Sequence, residues 1–166
     1  QIRGGGFLML GGSNSLGNAE VESSYINTPI AQILPIELQL GTPAINSANQ
    51  KRQRSPKQSS PLGYQVKLTA EGKIDSLLTL SNTPKDNLNK WESLPNLLGY
   101  SQVIRAKPGA VVLAVHPWDQ NEFGNRILLA THNYNAGRVM VFTPHSSWRW
   151  KMLSPKDDDR HQRFWR

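Results

Sequence analysis

Apolar residues in this chain gather in short runs set between polar stretches, and the spacing inside each run predicts an element. Phe7, Leu8, Met9 and Leu10 form an unbroken apolar run between Gly4-Gly5-Gly6 and Gly11-Gly12, the pattern of a buried strand bounded by turn residues. Residues 11–17 follow as a flexible loop. Thr28-Pro29 reads as an N-cap with proline at the first helical position, predicting a short helix through Ile30, Ile33 and Leu34 that Pro35 stops. Residues 36–40 alternate with period two, as a half-exposed strand does.

Residues 41–63 show no apolar periodicity and predict a long polar, basic loop or insertion. Alternation returns at 64–69, with Glu71-Gly72-Lys73 as a turn signal, so these strands predict an antiparallel excursion. Thr83-Pro84 repeats the cap-and-proline start ahead of Asn87, Leu88, Trp91 and Leu94, a helical turn or two ending near Pro95. Strands are expected at 101–106, 110–115, 126–131 and 137–142, the first two joined by the turn Lys107-Pro108-Gly109. Their continuous apolar runs predict a sheet covered on both faces. Residues 146–166 predict one or two amphipathic helices around Pro155, with Trp148, Trp150, Phe164 and Trp165 packed inward.

Length allows one domain, residues 1–166, able to bury roughly 70% of its unfolded surface without disulfide or metal staples. The Gly4-Gly5-Gly6 cluster resembles the cap of a helix, so the expected domain is an α/β unit whose beginning lies upstream of Gln1. The chain has no cysteine, which excludes a disulfide framework, a thiolate metal site and a cysteine nucleophile. No apolar run approaches the roughly 18 residues that cross a bilayer.

Net charge is +7 with an isoelectric point near 9.9, and the surplus sits in two places. Lys51, Arg52, Arg54 and Lys57 lie in the polar segment. Arg149, Lys151, Lys156, Arg160, Arg163 and Arg166 crowd the C-terminus around Asp157, Asp158 and Asp159. Neither cluster interleaves aromatics with glycine, so a solvated loop and helix are expected ahead of a nucleic-acid surface.

Candidate chemistry begins where the first strand meets Gly11 and Gly12, because ligands of doubly wound sheets sit at the C-terminal ends of central strands. Ser13 and Ser15 are the hydroxyl nucleophiles of that loop, yet Gly11-Gly12-Ser13-Asn14-Ser15 lacks the closing glycine of a G-x-S-x-G elbow. His145, after the strand 137–142, is placed to act as a general base, although Ser146 and Ser147 follow it where an orienting carboxylate is wanted. His116, His132 and His161 complete the histidines. His116 has Asp119 and Glu122 nearby, but no H-x-x-x-H or H-E-x-x-H spacing exists. No metal is expected, and with neither a Walker loop nor G-x-G-x-x-G between strand and helix, no cofactor.

Three stretches carry a resemblance. The first is Gly4-Gly5-Gly6-Phe7-Leu8-Met9-Leu10-Gly11-Gly12 with Thr28-Pro29 to Leu38. The second runs from Trp91 through Leu94-Pro95 to Lys107-Pro108-Gly109-Ala110-Val111-Val112-Leu113, and the third from Gly137-Arg138-Val139-Met140 to Trp148-Arg149-Trp150 and on to Arg160-His161-Gln162-Arg163-Phe164-Trp165-Arg166. In order and spacing they resemble the class I glutamine amidotransferase-like domain of large bacterial membrane proteins, often beside von Willebrand factor A-type segments. The resemblance implies a flavodoxin-like α/β fold with a mostly parallel sheet, its first half lying upstream of Gln1. It also implies a lost nucleophile, since the elbow cysteine of active members falls on Gly11. The partner histidine falls near His145 and the acid on Ser147. The function implied is a non-catalytic module that binds a small ligand or protein within a larger membrane-associated protein. The alternatives are a serine-dependent hydrolase using Ser13 or Ser15 with His145, or a basic nucleic-acid-binding module.

Overall fold

The computed structural model of the chain describes residues 4–12, 15–16, 25–38 and 63–166. In chain order they form β1 (Gly6–Leu10), α1 (Pro29–Ile33), β2 (Ile36–Leu38), β3 (Lys67–Leu68), α2 (Ala70–Ile74), α3 (Pro84–Glu92), β4 (Val103–Ala106), β5 (Val111–Asn121), β6 (Gly124–Tyr134), β7 (Gly137–Phe142), α4 (Arg149–Met152) and α5 (Arg160–Phe164). The architecture is mixed α/β. Ser13 and the expected insertion at 41–63, apart from Gly63, lie outside the described residues.

Five strands make the main sheet in the order β1-β7-β6-β5-β3, and β2 pairs with β4 in a second, two-stranded sheet. β1 runs parallel to β7, whereas β7, β6, β5 and β3 pair antiparallel. The mostly parallel sheet implied by the family resemblance is therefore not what the described strands form. The reason is local: Glu122-Phe123 and Asn135-Ala136 are two-residue turns, and strands joined so tightly can only pair antiparallel. Asn135 takes the positive φ of 51° that such turns demand.

Both faces of the sheet are covered from β7 to β5, but not at β1. That strand ends the described sheet order, and Leu8 and Leu10, expected in a buried strand, are 39% and 48% exposed on the face opposite Phe7 and Met9. Along β7, Val139 and Val141 face one core with Leu34, Ile36, Val103, Ile127 and Ala130, backed by Phe7 and Met9 of β1. Alternation sends Phe142 to the opposite core, which holds Trp91, Leu97, Leu113, Leu128, Leu129 and Trp150. Trp148 is the exception to the expected inward aromatics: it is 56% exposed, because it caps α4 two residues before Trp150 and so stands on the opposite side of that turn.

Both Thr-Pro pairs start helices, with proline in the first turn of α1 and of α3, but the Thr28 hydroxyl donates back to the Tyr25 carbonyl at 2.7 Å and makes no side-chain cap. The Thr83 hydroxyl accepts from the Asp86 N–H at 3.3 Å. The turn expected at Glu71-Gly72-Lys73 is instead inside α2. Thr69 caps that helix by accepting from the Gly72 N–H at 3.0 Å, and Gly72 presses on β5 so closely that a Cβ would sit 1.9 Å from the Leu113 carbonyl oxygen. The glycine is there for a close approach, not a turn.

The C-terminus is clamped onto α3 by one arginine. Arg160 Nε donates to both oxygens of Asp158, at 2.9 and 2.8 Å, while Nη1 donates to the Lys90 carbonyl at 3.1 Å and the Ser93 hydroxyl at 2.7 Å. That guanidinium lowers the Asp158 carboxyl from 3.8 to about 2. A folded value below the unfolded one stabilises the fold above the ordinary carboxylate range, and the gain disappears as pH falls through about 2. Asp158→Asn should therefore cost about 1–2 kcal/mol at neutral pH. Urea midpoints should also show a smaller loss on acidification in the variant than in the parent. Equal acid sensitivity in the two proteins would refute the assignment.

Candidate functional site

The site is built where the parallel pair β1 and β7 end side by side. The Gly11 N–H donates to the Phe142 carbonyl at 2.7 Å, continuing the ladder one residue past β1. The two chains are so close here that a Cβ on Gly11 would lie 2.0 Å from the Thr143 carbonyl oxygen and 2.9 Å from its Cα. Thr143 cannot retreat easily. It is fully buried, its hydroxyl donates to the Ile127 carbonyl at 2.9 Å, and its own carbonyl accepts from the Ser101 N–H at 2.9 Å.

An isolated antiparallel bridge between Tyr100 and Pro144 brings Ser101 between the two strand ends. Its Oγ lies 3.0 Å from the Gly12 carbonyl oxygen and 2.9 Å from His145 Nε2. A hydroxyl has one proton, and a carbonyl can only accept. Ser101 therefore donates to Gly12 and accepts from His145, which places the imidazole proton on Nε2 and leaves Nδ1 as the basic nitrogen. Burial lowers the His145 pKa, so the ring is neutral at physiological pH. The His145 N–H donates to the Gly99 carbonyl at 3.2 Å. Gly99 has φ +69° and passes so near that a Cβ there would sit 3.5 Å from Nδ1.

The structure thus brings Gly11, Gly12 and His145 into one neighbourhood, and adds Ser101, a fully buried residue that sequence reasoning missed. Ser146 is used structurally: its Oγ accepts from the Leu98 N–H at 2.6 Å and donates to the Leu98 carbonyl at 2.9 Å. The Ser15 hydroxyl turns back onto its own loop, within 3.3 Å of the Leu10 carbonyl and 3.2 Å of the Gly12 carbonyl, instead of meeting His145.

The other histidines are occupied elsewhere. His116 and His132, expected just beyond strands, lie inside β5 and β6. His116 is buried, its ring tilted against Tyr64 at 4.3 Å and Tyr100 at 5.1 Å between ring centroids, and its Nδ1 accepts from the Asp119 N–H at 3.0 Å. Asp119 in turn accepts from the Tyr100 hydroxyl, whose pKa is raised by burial and by that carboxylate. His132 Nε2 donates to the Ile33 carbonyl at 2.6 Å, and His161 Nε2 accepts from Trp165 Nε1 at 3.1 Å. Glu122 stands in the β5–β6 turn. Among the described residues no group of three His, Asp or Glu side chains is placed to hold a metal ion.

Fold and site together define a mixed α/β domain with a glycine-lined strand end facing a serine-held neutral histidine. Two solved structures from Salmonella typhimurium share its architecture. Cytoplasmic protein STM1381 of strain LT2 is 25% identical with a TM-score of 0.60 over 98% of this chain and 53% of its own. Cytoplasmic protein STM3548 is 23% identical with a TM-score of 0.59 over 98% of this chain and 52% of its own. The chain spans about half the length of these structures. No family model matches the chain, and no curated protein matches it. Among the described residues no helix is long and apolar enough to cross a membrane.

Proposed function

We propose that the chain is a non-catalytic, glutamine amidotransferase-like module of flavodoxin-like ancestry, which binds a small ligand or a protein partner at the strand ends beside Gly12 and His145. The observation that carries this reading is the contact of Gly11 with the Thr143 backbone. At the position where the family resemblance puts a cysteine, a side chain has no room, and without a nucleophile there is no covalent route to an amide. His145 supports it further: its Nε2–H is held by buried Ser101, and Ser147 stands where the resemblance expects an acid. The module belongs to a larger protein. Both structural neighbours are described as cytoplasmic proteins, and that setting, in place of a membrane tether, is the one we adopt.

The test is direct. Purified chain incubated with glutamine should release ammonia no faster than buffer alone, and His145→Ala should change nothing. Saturable release that His145→Ala abolishes would overturn the proposal.

A further inference from the structure

We propose that the outward face of α4 is a docking surface for an anionic lipid bilayer, a role independent of the site at His145. Trp148, Met152 and Leu153 are 56%, 71% and 55% exposed. Trp148 and Met152 are four residues apart and share one side of the helical turn, while Trp150 between them is buried at 2% exposure. The turn is firmly mounted: Arg149 Nε donates to the Asn96 carbonyl at 2.9 Å and Trp150 Nε1 to the Pro95 carbonyl at 3.0 Å.

Cations flank this apolar face. Arg149 and Lys151 lie on α4 and Lys156 in the turn after it, and the Arg149 guanidinium stands 5.9 Å from the Trp148 ring centroid. Among the described residues no carboxylate pairs with these three. Asp158 and Asp159, just before α5, are taken by Arg160 and Arg163, which leaves exposed Asp157 beside Lys156 as one nearby acid against the three cations.

Composition and charge point to the occupant. An exposed Trp with Met and Leu beside it, flanked by cations, matches the make-up of an interfacial membrane anchor, with the indole at headgroup level. Arg149, Lys151 and Lys156 would then meet anionic headgroups.

The full chain should co-sediment with phosphatidylcholine vesicles containing phosphatidylserine about tenfold or more better than with phosphatidylcholine alone, and raised salt should weaken it. The doubly substituted chains Trp148→Ala/Met152→Gln and Lys151→Gln/Lys156→Gln, all at exposed positions, should keep the parent circular dichroism and each bind about tenfold less. Absence of binding to the anionic vesicles at low salt overturns the proposal. So does binding undiminished by Trp148→Ala/Met152→Gln, which would assign it to other cations such as Lys51, Arg52, Arg54 and Lys57. Retention on polyglutamate without vesicle binding would assign the face to an acidic polypeptide instead.

Discussion

Gly11→Cys, the substitution that would restore a thiol at the family's nucleophile position, should yield a destabilised protein with no glutaminase activity. The added Cβ would lie 2.0 Å from the Thr143 carbonyl oxygen, far inside van der Waals contact, and its neighbour is backbone. Relief requires β1 and β7 to part at their C-terminal ends. That movement would disturb the bonds Thr143 makes to Ile127, Leu128 and Ser101. Overpacking of this kind costs about 3 kcal/mol or more where backbone must shift, a large share of the roughly 5–15 kcal/mol typical of a domain. Gly12→Cys is the control. A Cβ at Gly12 meets only the Ser15 side chain, at 3.4 Å and beyond, so its stability should move by less than about 1 kcal/mol. A Gly11→Cys protein as stable as the parent, carrying a thiol that hydrolyses glutamine, would show that this strand end was built for a nucleophile.

What the sequence reveals and what it hides divide along the range of the interactions. The Thr-Pro starts of α1 and α3 and the apolar runs of β1 and β7 are set by residues adjacent in the chain, so pattern alone places them. Gly72 reads as a turn because glycine usually marks one. Its actual reason is the Leu113 carbonyl of a strand about forty residues away, which only the fold brings near. Strand β5 passes through Pro117, where the expectation stopped at 115. The pairing with β6 shifts register between Val115 and Gln120, and such an irregularity accepts a residue with no N–H to donate.

The site follows the same division. Gly11, Gly12 and His145 are legible because each lies at the end of a recognisable strand. Ser101 carries no such signal, being a small polar residue beside Tyr100 in a stretch without a motif. It joins the site through contacts 89 and 44 residues away in sequence. Once there, it decides the tautomer of His145 by proton count alone, which no inspection of the motif His145-Ser146-Ser147 would supply.

Trp150→Ala should be among the most costly single truncations in the chain, at about 3–5 kcal/mol, while Trp148→Ala two residues earlier should stay within about 0.5 kcal/mol. The two tryptophans share a helical turn and most of their chemistry, so the comparison isolates burial. Trp150 packs edge-on to Trp91 at 5.7 Å and to Phe164 at 5.3 Å, and at a tilt to Phe142 at 6.1 Å. Its indole N–H is committed to the Pro95 carbonyl at 3.0 Å. Removing it opens a cavity walled by α3, β7 and α5 at once, none of which can close it without losing the others. Trp150→Phe separates the contributions, since it keeps a ring in the pocket but leaves the Pro95 carbonyl without its donor, a loss of about 1–2 kcal/mol. Urea unfolding of the three variants, with the denaturant slope unchanged, should give Trp150→Ala the lowest midpoint, Trp150→Phe the next and Trp148→Ala the highest. A Trp150→Ala protein no less stable than Trp148→Ala would mean that α4 is not anchored through this aromatic cluster. The rigid mounting on which both His145 and the lipid-facing surface depend would then have to be sought in Arg149 and Ser146.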